Sequence, residues 1–311
     1  YSTLLAAEKA YADILKEAAK KLGDIYKTTG DYIEKLPGDE LNAFGSEWYI
    51  LGLARSGRKV SDGYCKAIEK YVSGNIDENG RLDEKRATDN AKLVLVLSAL
   101  DKDVTNVGGH DLLNALSDMN YVTQQGLSGA IYALLAFDCR GYDIPAADKN
   151  AEQTSREELV KYILDKQLKD GGWAYSGDKA EPDMTAMVLQ ALAAYYKTDA
   201  KVKEAADKAV TCLSKLQNTT GGYDSYGSVN SESAAQVITA LTALGIDPDN
   251  DARFVKNGVS VLDSLCGFYV DGGGFRHVSD GKLDPTATAQ GYYALAAYYR
   301  FASSQTALYD M

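Results

Sequence analysis

Residues 162–196 read YILDKQLKDGGWAYSGDKAEPDMTAMVLQALAAYY, and the spacing in this stretch predicts two helices joined by a turn. Leu159, Tyr162, Ile163 and Leu168 fit a 3.6-residue apolar period before the break. Met184, Met187, Val188, Ala191, Leu192 and Tyr195 fit it afterwards. Gly171 and Gly172 make a tight turn, a polar loop follows, and the second helix opens at Asp183. The unit is a helical hairpin: helix, Gly-Gly-aromatic turn, polar loop, then a helix rich in small residues.

Two further copies follow, at 213–244 (LSKLQNTTGGYDSYGSVNSESAAQVITALTAL) and 261–299 (VLDSLCGFYVDGGGFRHVSDGKLDPTATAQGYYALAAYY). Aligning the Ala-Leu pairs that begin at Ala191, Ala240 and Ala294 gives a period of about 50 residues, in the range where self-similarity means stacked supersecondary units. Working back from these, residues 1–28 predict a long amphipathic helix with Leu4, Leu5, Tyr11, Ile14, Leu15, Ala18, Leu22 and Ile25 on one face. Gly30, Pro37 and Gly38 break it, and a helix over 46–56 buries Trp48, Leu51 and Leu53. A second hairpin pairs 63–73 with 88–100, Gly80 and Leu82 standing where Gly171 and Trp173 stand later. A third pairs 112–119 with 127–137 through a Gln-Gln-Gly link.

The sum is six hairpins and twelve helices in one domain, 1–311. Strands are not expected: no β-branched alternation is sustained, and no Asn-Gly or Asp-Gly turn joins two such runs. The second helices are nearly free of charge after their first turn (185–195, 234–244, 287–298). A helix apolar all round is surrounded by protein, so these predict the inner ring of a closed barrel. The first helices, with Lys161, Asp165 and Lys166 or Lys203, Glu204, Asp207 and Lys208 on one face, predict the outer ring.

A chain of 311 residues, 45% of them hydrophobic, can bury a large core. A net charge of −11 argues against nucleic acid as a partner, and no apolar run approaches the roughly 20 residues that cross a bilayer. The chain starts at Tyr1 with neither an initiator Met nor a signal-like segment, which predicts a piece excised from a longer polypeptide. Cys65, Cys139, Cys212 and Cys266 are far apart, with no CxxC and no nearby His; they predict buried free thiols rather than a zinc site or disulfides.

Gln167, Gly171 and Trp173, preceded by Tyr162-Ile163, resemble the QW repeat of the terpenoid cyclase and protein prenyltransferase superfamily. Leu213, Gln217, Gly221 and Tyr223 repeat it with a tyrosine, and Gly273 with Phe275 repeats it with the glutamine lost. The resemblance implies an all-α (α/α)6 toroid. Within the superfamily, GLARSG at 52–57, DPTATAQGYYALAAYYRF at 284–301 and the ending LYDM resemble toroid modules of large bacterial cell-surface proteins. Those are related to transcobalamin and intrinsic factor, whose barrel is paired with a small β-domain to hold a corrinoid. This resemblance implies an extracellular or cell-surface location, and as partner a small molecule, corrinoid-like or otherwise amphipathic, or another protein domain. The chain has no room for the β-domain and would hold half such a site.

The catalytic signatures of the enzymatic relatives do not map onto this chain. A DxDD run, which keeps one carboxylic acid protonated for donation to an alkene, has its nearest counterpart in Asp247, Asp249 and Asp251, without the paired final acids. The same series lacks the Gly and Glu of a calcium loop, having Ala252 and Gly258 there, and reads as a capping loop. The helix starts PDMTAM, NSESAAQ and DPTATAQ offer neither Cys nor His for a prenyltransferase zinc. Neither a Ser-His-Asp elbow nor a phosphate-cradling glycine loop is present, and neither a metal nor a cofactor is expected.

Glu47, Asp89, Asp183, Glu232 and Asp284 precede or open inner helices, whose starts converge around one mouth in a toroid. They serve as helix caps, or as caps that also line a ligand site. Trp48, Trp173, Tyr175, Tyr223, Tyr226, Phe275 and His277 surround the same mouth. Of these, Trp173, Tyr223 and Phe275 read as wedges between repeats or as ligand contacts; Tyr175, Tyr226 and His277, farther into polar loops, read as ligand contacts. Gln190, Gln236 and Gln290 lie in apolar helices and either tie them together or point into a cavity. Asp183 with Glu232 is the one pairing that could serve as a catalytic carboxylate couple. The expectation is a non-catalytic ligand-binding or interaction module, with a terpene cyclase or prenyltransferase-like enzyme, or a carbohydrate-active enzyme on the same barrel, as alternatives.

Overall fold

The computed structural model describes residues 2–311, with the side chains of the first helix described at Lys9 and from Ala12 onward. The predicted apolar positions Leu4, Leu5 and Tyr11 lie outside the described side chains. Thirteen α-helices follow in order: α1 (Ser2–Glu34), α2 (Gly38–Leu41), α3 (Glu47–Arg55), α4 (Asp62–Asn75), α5 (Ala87–Ala99), α6 (Met119–Gln124), α7 (Gly126–Asp138), α8 (Arg156–Leu164), α9 (Pro182–Leu192), α10 (Ala200–Leu216), α11 (Ser231–Ala243), α12 (Val261–Cys266) and α13 (Pro285–Ala302). Apart from the single turn α2, they alternate outer and inner. The inner helices α3, α5, α7, α9, α11 and α13 pack each against the next, and α13 packs against α3. The ring is therefore closed, and the fold is the all-α toroid.

Burial follows the charge pattern. Inner helices are buried almost throughout, as in Leu93–Leu97 of α5 and Ala234–Leu241 of α11. Outer helices face solvent with i,i+4 ion pairs such as Lys203–Asp207 and Glu204–Lys208, each worth a few tenths of a kcal/mol.

The glycine turns weld neighbouring repeats. Trp173 has no exposed surface and donates Nε1–H to the Ile163 carbonyl at 2.8 Å. Gln167 Nε2 donates to the Gly171 carbonyl in its own turn (2.7 Å) and to the Ala205 carbonyl of the next outer helix (2.8 Å). Gln217 repeats this with Gly221 (2.9 Å) and Phe254 (2.8 Å). Gly171 is left-handed (φ 94), and a Cβ there would meet the Lys208 carbonyl oxygen of α10 at 3.0 Å. Gly273 (φ 116) makes the same approach to α1, where a Cβ would lie 2.5 Å from Tyr32 Cβ. The sixth repeat thus docks on the first as the fourth docks on the fifth.

Several expectations are corrected. The predicted helix over 112–119 is not formed: a 3-10 turn covers Asn114–Ser117, and Asp118 then caps α6 by accepting from the Asn120 and Tyr121 amides. Ile14 and Leu15 are 63% and 52% exposed, so the predicted apolar face of α1 is uncovered at these two positions. Three two-residue hairpins are present, at Asp224–Ser225/Ser228–Val229, Val255–Lys256/Val259–Ser260 and Phe275–Arg276/Leu283–Asp284. The second turns on Asn257-Gly258, both left-handed, the pairing a two-residue hairpin favours. All four cysteines are free; burial pushes the Cys139 and Cys212 thiols up to about 11 and that of Cys266 up to about 12. Asp247 accepts from the Asp249 and Asn250 amides, Asp249 from Ser260 Oγ, and Asp251 from Arg253, so all three serve the loop itself. No described helix is long and apolar enough to cross a membrane.

Candidate functional site

Side chains from several inner helices meet inside the ring. The Trp48 ring of α3 lies 5.8 Å from that of Tyr132 on α7 and 5.9 Å from that of Tyr293 on α13. Gln190 donates to Gln236 Oε1 (2.8 Å), and Gln236 donates to Gln290 (3.0 Å) and to the Tyr293 hydroxyl (2.7 Å). This chain ties α9, α11 and α13 together, and Gln190 also borders a cavity lined by Cys139, Thr239 and Tyr309. At the opposite end the C-terminal tail tucks in: Tyr309 is buried, and the Met311 amide donates to the Cys139 carbonyl at 2.8 Å. Arg55 fixes that tail through the Ala307 (2.8 Å) and Asp310 (2.7 Å) carbonyls. Burial raises the Tyr293 and Tyr309 phenols well above their ordinary range.

The predicted mouth acids separate into groups. Glu47 is buried, accepts the Gly45 amide at 2.7 Å, and has its carboxyl pKa raised by that burial. Asp89 is buried between Arg86 (3.1 Å) and Lys92 (3.6 Å), one helical turn away on either side. Asp284 accepts the Ala287 amide at 2.8 Å and is a helix cap. Trp173, Tyr223 and Phe275 are fully buried, which makes them wedges between repeats and takes them away from any ligand surface.

The remaining residues come together where repeats four, five and six meet. Asp183 Oδ2 accepts from Ser225 Oγ at 3.1 Å, and its buried Oδ1 lies beside the Ser233 hydroxyl without a well-formed hydrogen bond. Burial raises the Asp183 carboxyl above its ordinary pKa against its hydrogen bonds, and the nearby Glu232 charge adds to the rise. Glu232 is clamped by His277 Nδ1, 2.8 and 2.9 Å from its two oxygens, and accepts from Ser231 Oγ at 2.9 Å. Tyr175 is 71% exposed, its amide donating to Glu181 Oε2 at 3.0 Å. Tyr226 is 86% exposed at the tip of the first hairpin, and the Glu181 charge, with burial and Asp183 behind it, raises its phenol pKa. Its φ of 54 with Gly227 at 88 makes a turn of the same left-handed kind as Asn257-Gly258, but in a residue that resists it.

Of the residues the sequence places at the mouth, the structure brings Asp183, Tyr226, Glu232, His277 and Tyr175 together, and it adds Glu181, Ser225 and, inside the ring, Tyr132, which the sequence did not single out. Pro182 at the first position of α9 marks Glu181 as the residue entering the helix, a readable signal. Ser225 and Tyr132 carry none, because their relevance comes from contacts across repeats.

Six inner helices inside six outer ones form a closed (α/α)6 toroid, with Gln-Gly-aromatic turns in its fourth and fifth repeats. Among solved structures the chain is similar to ent-copalyl diphosphate synthase from Streptomyces platensis, at 16% identity and a TM-score of 0.53 over 81% of this chain and 49% of that one. The likeness is one of fold, and this chain spans about half the length of that synthase. No family model and no curated protein matches the sequence.

Proposed function

We propose that this toroid is a non-catalytic recognition module of a secreted or cell-surface protein, binding an amphipathic small molecule at the mouth where repeats four to six meet. The observation that carries the reading is Tyr226, an exposed aromatic held in a left-handed conformation beside Tyr175 and the buried acid Asp183. Backbone strain of this kind persists where surrounding structure enforces it and clusters at ligand sites. The barrel interior, meanwhile, is occupied by Trp48, Tyr132, Tyr293 and the glutamine chain. A corrinoid is the finer candidate, supported by the sequence resemblance alone.

A second reading has one observation in its favour. Asp183 holds its proton to higher pH than an ordinary carboxyl, and a retained proton is what acid-initiated cyclisation of a polyprenyl substrate requires. The solved synthase with this fold adds to it.

One experiment separates the two. Thermal stability of the chain is measured against cobalamin and against geranylgeranyl diphosphate, with product analysis for the latter. A ligand at 100 times its Kd stabilises the fold by about 2.7 kcal/mol. Recognition at the mouth predicts a cobalamin shift abolished by Tyr226→Ala and by His277→Ala. Turnover of the diphosphate that disappears in Asp183→Asn would establish the enzyme reading instead.

A further inference from the structure

A polar groove lies apart from Tyr175, Tyr226 and His277, between the second and third repeats. Here α6 spans six residues against seventeen in α10, and loops replace the rest of the wall. The loop before α6 and the loop after α7 are stitched together, Met119 N–H to the Glu152 carbonyl and Thr154 N–H to the Ser117 carbonyl, both at 2.8 Å. Together with the α4–α5 loop they enclose a groove of about 790 Å³, within the size range of small-molecule sites.

Its lining is polar and pre-oriented. Asp77 Oδ1 accepts the Asn79 and Arg81 amides, both at 2.8 Å, and Asp118 accepts the Asn120 amide (3.0 Å) and the Arg81 guanidinium (2.9 Å). These carboxylates are fixed in direction yet keep free lone pairs. The Arg81 guanidinium carbon lies 4.3 Å from the centre of the Tyr121 ring, with its buried Nε lacking a partner. Asn79, Asn114, Asn120 and Asn150 line the same groove with exposed side chains, whose amides are free to meet a ligand.

We propose that this groove binds a neutral oligosaccharide. A sugar hydroxyl both donates and accepts, and adjacent hydroxyls satisfy a planar amide or carboxylate through two parallel bonds, as fixed acceptors and free amides side by side require. Five carboxylates against one guanidinium line the groove, which sets it against uronates, sulfated sugars and phosphates. The proposal is independent of the mouth, none of whose residues lines the groove.

Isothermal titration of the full chain with cellohexaose, maltohexaose and chitohexaose tests it, with spermidine as a cationic competitor. Saturable binding of at least one saccharide is expected. It should be weakened about tenfold in Asn114→Ala/Asn150→Ala, which removes two exposed amides and leaves the melting temperature unchanged. Tyr226→Ala should leave it intact. Three outcomes overturn the proposal: no saccharide binds; binding survives the groove variant and is lost in Tyr226→Ala; or spermidine alone binds, with a steep salt dependence that marks the groove as a cation trap.

Discussion

The two halves of the ring follow one grammar with different strictness. In repeats four to six, the glycine two residues before the buried aromatic (Gly171, Gly221 and Gly273) abuts the next outer wall, at Lys208, at Ser260 and, closing the ring, at Tyr32. Behind each turn sits a fully buried aromatic, Trp173, Tyr223 or Phe275. In repeat two, Gly80 has its nearest neighbours at 3.6 Å, and a half-buried Leu82 replaces the aromatic. In repeat three the outer helix shrinks to α6, and the groove opens beside it. The comparison teaches that a toroid needs tight welds at only some of its joints, and that a relaxed joint is where a cavity can form.

The sharpest way to break this contrast is to remove the wedges. Trp173→Ala deletes a side chain with no exposed surface and a buried hydrogen bond, and should cost about 3–5 kcal/mol in chemical denaturation. Leu82→Ala, at the equivalent place, should cost no more than about 2 kcal/mol. Equal losses would mean that the halves are welded alike.

Next in size are the glycines. Gly273→Ala places a methyl 2.5 Å from Tyr32 Cβ at a φ of 116, and a loss above about 2 kcal/mol is expected because ring closure itself is pushed apart. Gly80→Ala has room and meets only the left-handed penalty, about 1 kcal/mol at φ 76. A melting series in which Gly80→Ala proves the worse of the two would overturn the account of closure.

Legibility in the sequence tracks this same strictness. Where close approach and left-handed φ admit only glycine, as at Gly171 and Gly221, the repeat shows in the letters. Where Leu82 has replaced the aromatic, only hairpin counting finds the unit, and the shortened third helix was misplaced because its apolar residues at 112–116 are buried without being helical. Periodicity placed Ile14 and Leu15 on a buried face, yet a stripe does not reveal whether a partner covers it. Asn257-Gly258 was readable as a turn, but strands of two residues are too short to show alternation. The candidate site was half legible: its acids and exposed tyrosines sit at helix starts and loop tips, whereas Ser225 on Asp183 is a contact between repeats.

Within the tightly welded half, Tyr226 is the exception, and comparing it with Asn257 isolates what its strain serves. Both occupy the first position of a left-handed two-residue turn, at φ 54 and 51. Asn tolerates that region far better than Tyr, so Tyr226→Asn should stabilise the fold by about 0.5–1 kcal/mol while abolishing any ligand shift at the mouth. A variant that loses stability would show the exposed ring to be structural.

The most delicate contrast is between Asp183 and the acids that ion pairs compensate, such as Asp89 beside Arg86 and Lys92. Burial raises the Asp183 carboxyl in the folded state, so the folded protein holds this proton more tightly than the unfolded chain does. Its effect on stability is absent below the ordinary carboxyl pKa of 3.8 and grows as pH rises towards the folded value. Above that value it is a constant penalty, because the charge is then held in a partly dry site. Asp183→Asn keeps an acceptor for Ser225 and removes the charge. Its melting temperature should match the parent near pH 3 and exceed it at pH 7, the gap opening between the two pKa values. Parallel curves across that range would mean that solvent or a neighbour already relieves the charge, and the mouth would lose the one acid that sets it apart from an ordinary ring of helix caps.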